Sequence, residues 1–264
     1  MRIWLARWVC RDVESNLRRM AEEVDEAASA GARWVVFPES FLHGYTRRVE
    51  PERVRAAVTE VSDTHPGMTI FAGSFSEERR NRMTVWKAGR ELARYDKVHL
   101  FPPNGELDIW EPGDRYVAVE ADGERAGLIN CNDLRFPEQA RALRVGARAT
   151  VLVAVAWWPW RRDWVWRTLL RARAIENACW VIGCCVAASE WPRERFAGAG
   201  NYVFDPFGEP VRTTDDHTYD LDPARAAGIL VNPLELAVEI PRVEVEGGSP
   251  AGAGGADPER GPGA

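Results

Sequence analysis

The chain has few of the residues from which most metal and redox sites are built. Its 264 residues include four histidines and five cysteines. The cysteines form no CxxC pair and the histidines are not spaced as metal ligands, so the sequence indicates neither a zinc site nor a disulfide framework. GxGxxG and Walker sequences are missing too, which leaves nucleotide binding without support. We therefore expect no metal and no organic cofactor.

Long apolar runs and blocks of like charge are also absent. No apolar stretch approaches the roughly 20 residues that span a bilayer. The apolar start of the chain is too short for a signal peptide and is interrupted by Arg7. The net charge is −6, with both signs interspersed, which does not favour a polyanionic partner. These absences predict a cytoplasmic protein with neither a membrane nor a nucleic-acid partner.

Strand and helix signals alternate along most of the chain, which predicts an α/β protein. The opening pattern of strand, helix and strand calls for parallel pairing, and Asp122-Gly123 is a strong hairpin signal. Two packed sheets covered by helices on both outer faces would accommodate this mixture. The predicted helices cover residues 13–28, 51–61, 137–145 and 163–178, and the predicted strands cover residues 3–9, 34–37, 69–75, 84–87, 92–95, 117–120, 125–129, 150–156, 180–187, 202–204, 210–213, 228–231 and 236–240.

The C-terminal segment has a different composition. Residues 247–264 are mostly Gly, Ala and Pro, with scattered charges and no large apolar side chain. Such a segment cannot bury enough surface to offset the entropy of ordering it. We predict one domain over residues 1–246 and a disordered tail over residues 247–264.

Cys131 is the first candidate for chemistry. It follows the apolar run 126–129 and opens the polar segment 131–138 (CNDLRFPE). A thiol where a buried strand ends and a helical segment starts can face a pocket, with the next backbone N–H groups pointing at the same space. The alternative is a packing cysteine, because free Cys is among the most buried residue types; we interpret the other four cysteines in that way. We expect Asp133, Arg135 and Glu138 to form an ion-pair network around the loop.

Two further polar residues stand at the ends of strand-like segments. Glu39 follows the apolar run 34–37 and Pro38, and Lys97 lies near the end of another short strand. Each alone is typical of a solvated surface residue. Together with Cys131 they supply a carboxylate base, a fixed ammonium and a thiol, which suits acyl transfer through a thioester.

In these three segments the chain resembles the nitrilase superfamily of carbon–nitrogen hydrolases, whose signature is a Glu–Lys–Cys triad. Segments 37–39 (FPE), 96–100 (DKVHL) and 131–138 look like its Glu, Lys and Cys motifs, and the likeness extends from about residue 2 to about residue 240. The segment around Glu106 resembles the one that carries a second active-site glutamate. The resemblance implies a four-layer α-β-β-α sandwich with two mixed sheets, and a homodimer or higher homo-oligomer.

The resemblance also implies a mechanism for a small-molecule amide. Cys131 would attack the carbonyl carbon, while Lys97 and the backbone N–H of Asn132 would stabilise the oxyanion. Glu39 would move the protons, and Glu106 would position Lys97 or the substrate amine. The alternative for Glu106 is an ordinary loop carboxylate. His43 and His99 lie beside the motifs, and we expect structural roles for them.

Segment 157–162 (WWPWRR) bears on the substrate. It follows the predicted strand 150–156 and looks like a stretch found in the omega-amidase-like branch of the superfamily. We expect Trp157 and Trp158 to wall a pocket, and Arg161 (or its neighbour Arg162) to bind a substrate carboxylate. The alternative is a Trp-rich core or dimer contact with solvated arginines.

The residues after Cys131 do not decide between two substrate classes. The triplet 131–133 (CND) occurs among carbamoyl-amino-acid hydrolases of the superfamily, whereas segment 134–138 (LRFPE) is usual in the omega-amidase-like branch. We predict an omega-amidase-like hydrolase of a short, carboxylate-bearing amide that releases ammonia. The alternatives are an N-carbamoyl amino acid amidohydrolase and a catalytically silent binding protein on the same scaffold.

Overall fold

A computed structural model of the chain describes residues 1–44, 49–190, 193–195, 200–213, 215–222, 224–225, 229 and 232–234. Within these ranges the α-helices are α1 (Val13–Ser29), α2 (Pro51–Thr64), α3 (Glu106–Ile109), α4 (Pro137–Val145) and α5 (Asp163–Asn177). The strands are β1 (Arg2–Leu5), β2 (Val9–Cys10), β3 (Trp34–Val36), β4 (Thr69–Glu77), β5 (Arg80–Lys87), β6 (Arg90–Asp96), β7 (Ala118–Ala121), β8 (Glu124–Asn130), β9 (Val151–Ala156), β10 (Trp180–Cys185), β11 (Ala188–Glu190), β12 (Arg193–Arg195), β13 (Tyr202–Phe204) and β14 (Thr218–Asp220). Short 3-10 helices cover Pro102–Asn104, Cys131–Arg135 and Trp160–Arg162.

Two mixed sheets form the centre of the fold. The first has the strand order β14-β1-β3-β4-β5-β6, and the second has the order β13-β10-β9-β8-β7. Strands β1, β3 and β4 are parallel to one another, as are β8, β9 and β10, while the outer strands of each sheet pair antiparallel. A small third sheet has the order β12-β11-β2. The predicted α/β architecture with two mixed sheets is confirmed; the third sheet was not predicted.

The hydrophobic core lies in layers on both faces of each sheet, because successive side chains of a strand point to opposite faces. Along β9, Val151 and Val153 belong to the apolar cluster between the two sheets. Leu152 and Ala154 belong to a second cluster, which also contains the inward faces of α1 and α5. A strand covered on both faces reads as a continuous apolar run, which is why β9 was easy to predict.

The local signals for α1 act as the sequence predicts. The Asp12 side chain caps the helix by accepting a hydrogen bond from the Ser15 N–H at 2.9 Å, which satisfies one of the free amides of the first turn. Gly31 follows the helix with φ 74°, a conformation that suits glycine at a helix end. The predicted start of α4 at Pro137 and of α5 at Asp163 is also confirmed.

Several predicted strands differ from the structure. The single strand expected over residues 3–9 is divided into β1 and β2, because the buried Trp8 donates its indole N–H to the Phe41 carbonyl at 2.7 Å and the chain passes there into the third sheet. The strand expected over residues 210–213 is reduced to one bridge between Phe204 and Pro210; proline has no N–H for a longer ladder. Strand β14 was not predicted.

Some predictions lie outside the described residues. They are the strand at residues 236–240, the strand at residues 228–231 apart from Ile229, and the tail at residues 247–264. In the part of the chain that is described, no helix is both long enough and apolar enough to cross a bilayer.

Candidate active site

Cys131 occupies a sharp turn between β8 and the 3-10 helix Cys131–Arg135. Its φ is 54°, a left-handed conformation that costs a non-glycine residue on the order of 1–3 kcal/mol and is typical of functional turns. The buried Asp133 carboxylate holds this turn by accepting hydrogen bonds from the Asn130 N–H at 3.0 Å, the Tyr95 hydroxyl at 2.6 Å and the His99 N–H at 2.8 Å. The thiol is thus fixed where the strand ends.

The expected ion-pair network around this loop is wrong. Among the described residues, Asp133 is held mainly by backbone N–H groups and a hydroxyl, and neither Arg135 nor Glu138 takes part in a salt bridge. A buried carboxylate is satisfied as well by several hydrogen bonds as by one cation. Arg135 therefore has no carboxylate partner among the described residues, and its guanidinium contacts the Trp158 ring instead.

Glu39, Lys97 and Glu106 form one buried cluster. The Lys97 Nζ donates to Glu39 Oε1 and to Glu106 Oε1, both at 2.9 Å. The exposed fraction is zero for Glu39 and Lys97 and 1% for Glu106. The ammonium is thus shared between the two carboxylates, and the described residues contain no group of three or more acidic, cysteine or histidine side chains that could hold a metal ion.

Backbone and amide donors fix the two carboxylates. Glu39 Oε1 also accepts from the Asn81 side-chain amide, and Glu39 Oε2 accepts from the Trp157 N–H, both at 2.9 Å. Glu106 Oε2 accepts from the Phe101 N–H at 2.8 Å. Because Glu39 follows a strand of the first sheet and Trp157 follows a strand of the second, the carboxylate joins the two sheets at the site.

Gly73 lets the Glu39 loop approach the first sheet. This glycine lies at an irregularity of β4 with φ 53°, and a Cβ added there would lie 2.0 Å from the Pro38 carbonyl oxygen. Real Cβ atoms do not come so close, so only glycine fits. The position of Glu39 depends on that contact.

Burial and charge together set the protonation states. Burial raises the pKa of the Cys131 thiol well above its ordinary value and the Glu39 charge adds to this, while Lys97 and a hydrogen bond from the Trp157 backbone oppose it. Burial alone would lower the pKa of Lys97, but Glu39, Cys131 and Glu106 together raise it. Burial also raises the pKa of Glu106, against the attraction of Lys97. The resting site therefore holds a neutral thiol beside a charged ammonium.

A small cavity opens over the thiol. Its space is about 340 Å³ including its open mouth. It is lined by Phe101, Asn104, Glu106, Cys131, Asn132, Arg135, Trp157, Trp158, Pro159 and Arg162. The cavity thus has aromatic walls, a nucleophile and two guanidinium groups.

The arginine prediction needs a correction. Arg161 is exposed and does not line the cavity, whereas Arg162 does, because the 3-10 helix Trp160–Arg162 turns successive side chains to different sides. The Arg162 guanidinium carbon lies 5.5 Å from the centroid of the Phe101 ring. The Arg135 guanidinium carbon lies 4.6 Å from the Trp158 ring centroid.

The remaining predicted residues all reach the site. Trp157 and Trp158 line the cavity, and so does Asn132, with 7% of its surface exposed. Asn81, which donates a hydrogen bond to Glu39, was not predicted, since it lies inside β5 with no motif around it. Arg135 was not predicted as a lining residue, although it stands three residues after Asn132 in the sequence.

The two histidines beside the motifs make structural contacts. His99 stacks on Phe136 with ring centroids 3.6 Å apart, and its Nδ1 lies 2.9 Å from Asp133 Oδ1. Burial lowers the pKa of His43 to about 4, and its Nε2 accepts the Ser76 N–H at 3.1 Å. A ring held neutral in this way is a poor proton carrier near neutral pH.

Known proteins resemble this chain in sequence and in fold. The family model for carbon-nitrogen hydrolases matches residues 3–222. The chain is similar to the omega-amidase YafV of Escherichia coli (strain K12), at 31% identity over 79% of this chain and 82% of that protein. It is also similar to a deaminated glutathione amidase of Synechocystis sp., at 32% identity over 75% of this chain and 80% of that protein. The solved structure of Saccharomyces cerevisiae Nit3, from branch 10 of the nitrilase superfamily, has the same fold, with a TM-score of 0.76 and 21% identity over 86% of this chain and 92% of that chain.

Proposed function

Because the chain belongs to the carbon–nitrogen hydrolase family and is an amidase, we propose that it hydrolyses a short, carboxylate-bearing amide through a thioester on Cys131. The observation that carries this proposal is the buried cluster in which the Lys97 ammonium lies 2.9 Å from the carboxylates of both Glu39 and Glu106, with its charge acting on the Cys131 thiol.

The first half of the reaction makes the thioester. Because the pKa of Cys131 is raised, the thiol must lose its proton as it attacks, and Glu39 is the acceptor. The sulfur bonds to the amide carbon, and the carbonyl oxygen becomes an oxyanion. Lys97 and the Asn132 N–H stabilise that charge; the Asn132 N–H lies in the first turn of a helix, where amides have no intrahelical acceptor. Glu39 then protonates the leaving nitrogen as the C–N bond breaks, which releases ammonia.

The second half uses the same groups in reverse. Water attacks the thioester carbon and gives its proton to Glu39, and the C–S bond breaks. The thiolate recovers the proton from Glu39, and the acid leaves. Glu106 keeps Lys97 aligned throughout, since it shares the ammonium with Glu39.

The two cavity arginines support a carboxylate on the substrate. Among the described residues, neither the Arg135 nor the Arg162 guanidinium makes a salt bridge or a hydrogen bond; each contacts an aromatic ring instead. The one carboxylate in the cavity wall, Glu106, is already paired with Lys97. Two unpaired guanidinium groups favour an anion, and a carboxylate can bind such groups bidentately. The name of the similar omega-amidase is consistent with this class.

A panel of substrates tests the proposal. Ammonia release is measured over short amides with and without a carboxylate, nitriles and carbamoyl amino acids, with Cys131→Ala as the blank. We expect turnover of carboxylate-bearing amides and none by the variant. Turnover that survives Cys131→Ala, or a preference for uncharged amides, would show the proposal to be wrong.

A further inference from the structure

The contacts of the Asn132 side chain leave one hydrogen-bonding atom without a donor among the described residues. Its amide nitrogen donates to the carbonyl oxygens of His99 at 3.2 Å and Leu100 at 3.1 Å. These two carbonyls use both N–H groups and fix which end of the amide is nitrogen. The Oδ1 atom therefore points away from that backbone as an acceptor.

This oxygen has no donor within the described part of the chain. No described residue donates to Asn132 Oδ1, and the atom is not among the sealed polar atoms without a partner. Asn132 itself lines the cavity, so the cavity is the side from which a ligand would approach this oxygen. A substrate that fills the cavity removes water from this oxygen. The substrate must then supply a hydrogen-bond donor, because a buried acceptor without a partner is unfavourable.

The helix that begins at the nucleophile also carries Asn132 and one of the two arginines. In a 3-10 helix, side chains three residues apart lie on the same side. Asn132 and Arg135 are three apart in the helix Cys131–Arg135, and both line the cavity. Along the chain, the residues of this helix that line the cavity are Cys131, Asn132 and then Arg135. In the proposed mechanism, Glu39 and Glu106 lie on the side of the leaving amine.

We propose that Asn132 Oδ1 selects amides that carry a neutral N–H or O–H donor between the amide carbon and the carboxylate. This inference rests on the proposed function and narrows its substrate class. N-carbamoyl amino acids and hydroxy acid monoamides meet the requirement, whereas a plain methylene chain or a 2-oxo chain leaves the oxygen unpaired. An ammonium donor is disfavoured, because the two arginines repel it.

Three substrates of nearly equal shape test the proposal. Succinamate has a methylene next to the amide carbon, 3-hydroxysuccinamate has a hydroxyl on that carbon, and N-carbamoylglycine has an N–H in its place. We expect the wild-type protein to show a kcat/KM at least tenfold higher for 3-hydroxysuccinamate than for succinamate. The carbamoyl carbon is intrinsically less reactive, so N-carbamoylglycine is compared across variants rather than with succinamate.

The variants separate recognition from a structural role. Asn132→Leu removes the acceptor, and Asn132→Asp keeps an acceptor oxygen while it loses the two anchoring N–H groups. We expect Asn132→Leu to abolish the hydroxyl preference and to lower kcat/KM for N-carbamoylglycine about tenfold more than for succinamate. Asn132→Asp should keep the preference at a lower overall rate.

The outcomes also separate this inference from the proposed function. Equal kcat/KM for succinamate and 3-hydroxysuccinamate in the wild-type protein overturns the inference and leaves the amidase proposal standing. Equal loss on all substrates in both variants overturns it as well, since anchoring of the His99 and Leu100 backbone would then be the whole role of Asn132. If none of the three is hydrolysed in a Cys131-dependent way, the proposed substrate class falls together with the inference.

Discussion

Arg161 and Arg162 show how much depends on one residue position. They are neighbours with the same side chain, yet only Arg162 lines the cavity, while Arg161 is exposed to solvent. The sequence shows that an arginine follows the tryptophans, but the rotation of a 3-10 helix decides which arginine faces inward. At the residue scale, side-chain direction therefore separates a binding group from a solvated one.

The pair provides its own control. We expect Arg162→Ala to raise KM for a carboxylate-bearing amide about tenfold or more, because a hydrogen bond to a charged group contributes roughly 1.5–3 kcal/mol. Arg161→Ala should leave KM within about twofold. Steady-state kinetics with an uncharged amide as the second substrate checks that the loss concerns the carboxylate; an equal rise in KM for both substrates would count against an anion site.

The elements show which parts of the site could be predicted. Glu39, Lys97 and Cys131 were recognisable because each follows a strand-like run in a motif with a characteristic sequence. The contacts that hold them were not, since Asn81 and the Trp157 N–H reach Glu39 from strands distant in the chain. Pairings such as that of β14 with β1 are set by tertiary packing, so they cannot be predicted from the sequence of a short polar strand.

Gly73 in β4 gives a prediction at the scale of the element. We expect Gly73→Ala to destabilise the protein by at least about 2 kcal/mol and to lower kcat, because the added methyl meets the Pro38 carbonyl and shifts the Glu39 loop. Gly67→Ala is the control, since a Cβ there meets no atom within 4 Å. Denaturant unfolding together with kcat measures both effects. Native-like values for Gly73→Ala would mean that the Glu39 loop does not depend on this contact.

At the scale of the whole molecule, buried carboxylates join elements that are far apart in sequence. Asp122 in the hairpin between β7 and β8 accepts hydrogen bonds from Arg33, Lys87, Thr69 and the Trp34 indole. Burial alone would raise the pKa of Asp122, but these partners hold it at about 2. The hairpin of the second sheet is thereby fastened to the first sheet.

This linkage predicts acid sensitivity. A carboxylate whose pKa is lower in the folded than in the unfolded state stabilises the fold above about pH 4, and that contribution is lost as the pH falls toward 2. We expect the free energy of unfolding to decrease by about 2 kcal/mol from Asp122 alone over that interval. Asp122→Asn should flatten the curve there. Parallel curves for wild type and variant between pH 4 and pH 2 would rule out this role.

The outer face of α5 bears on assembly. Trp164 is 70% exposed and Ile175 is 53% exposed, and exposed aromatic and apolar side chains are enriched at interfaces. We propose that the protein is a homodimer. Sedimentation is expected to give twice the 29.6 kDa of one chain, and Trp164→Ser is expected to shift the population toward the monomer. A wild-type protein that sediments as a monomer at micromolar concentration would contradict this assembly.

The covalent intermediate is the most direct test of the account. Intact-mass spectrometry of wild type quenched with acid during turnover should show a mass increase equal to the acyl group. Glu39→Gln incubated with the same amide should show little or none, because it lacks the acceptor of the thiol proton. Peptide mapping should place the wild-type adduct on Cys131, and Cys131→Ala should show none. Steady ammonia release by wild type with no adduct, an adduct on another residue, or an adduct that forms as fast in Glu39→Gln as in wild type would contradict a mechanism in which the Cys131 thiol attacks and Glu39 moves the proton.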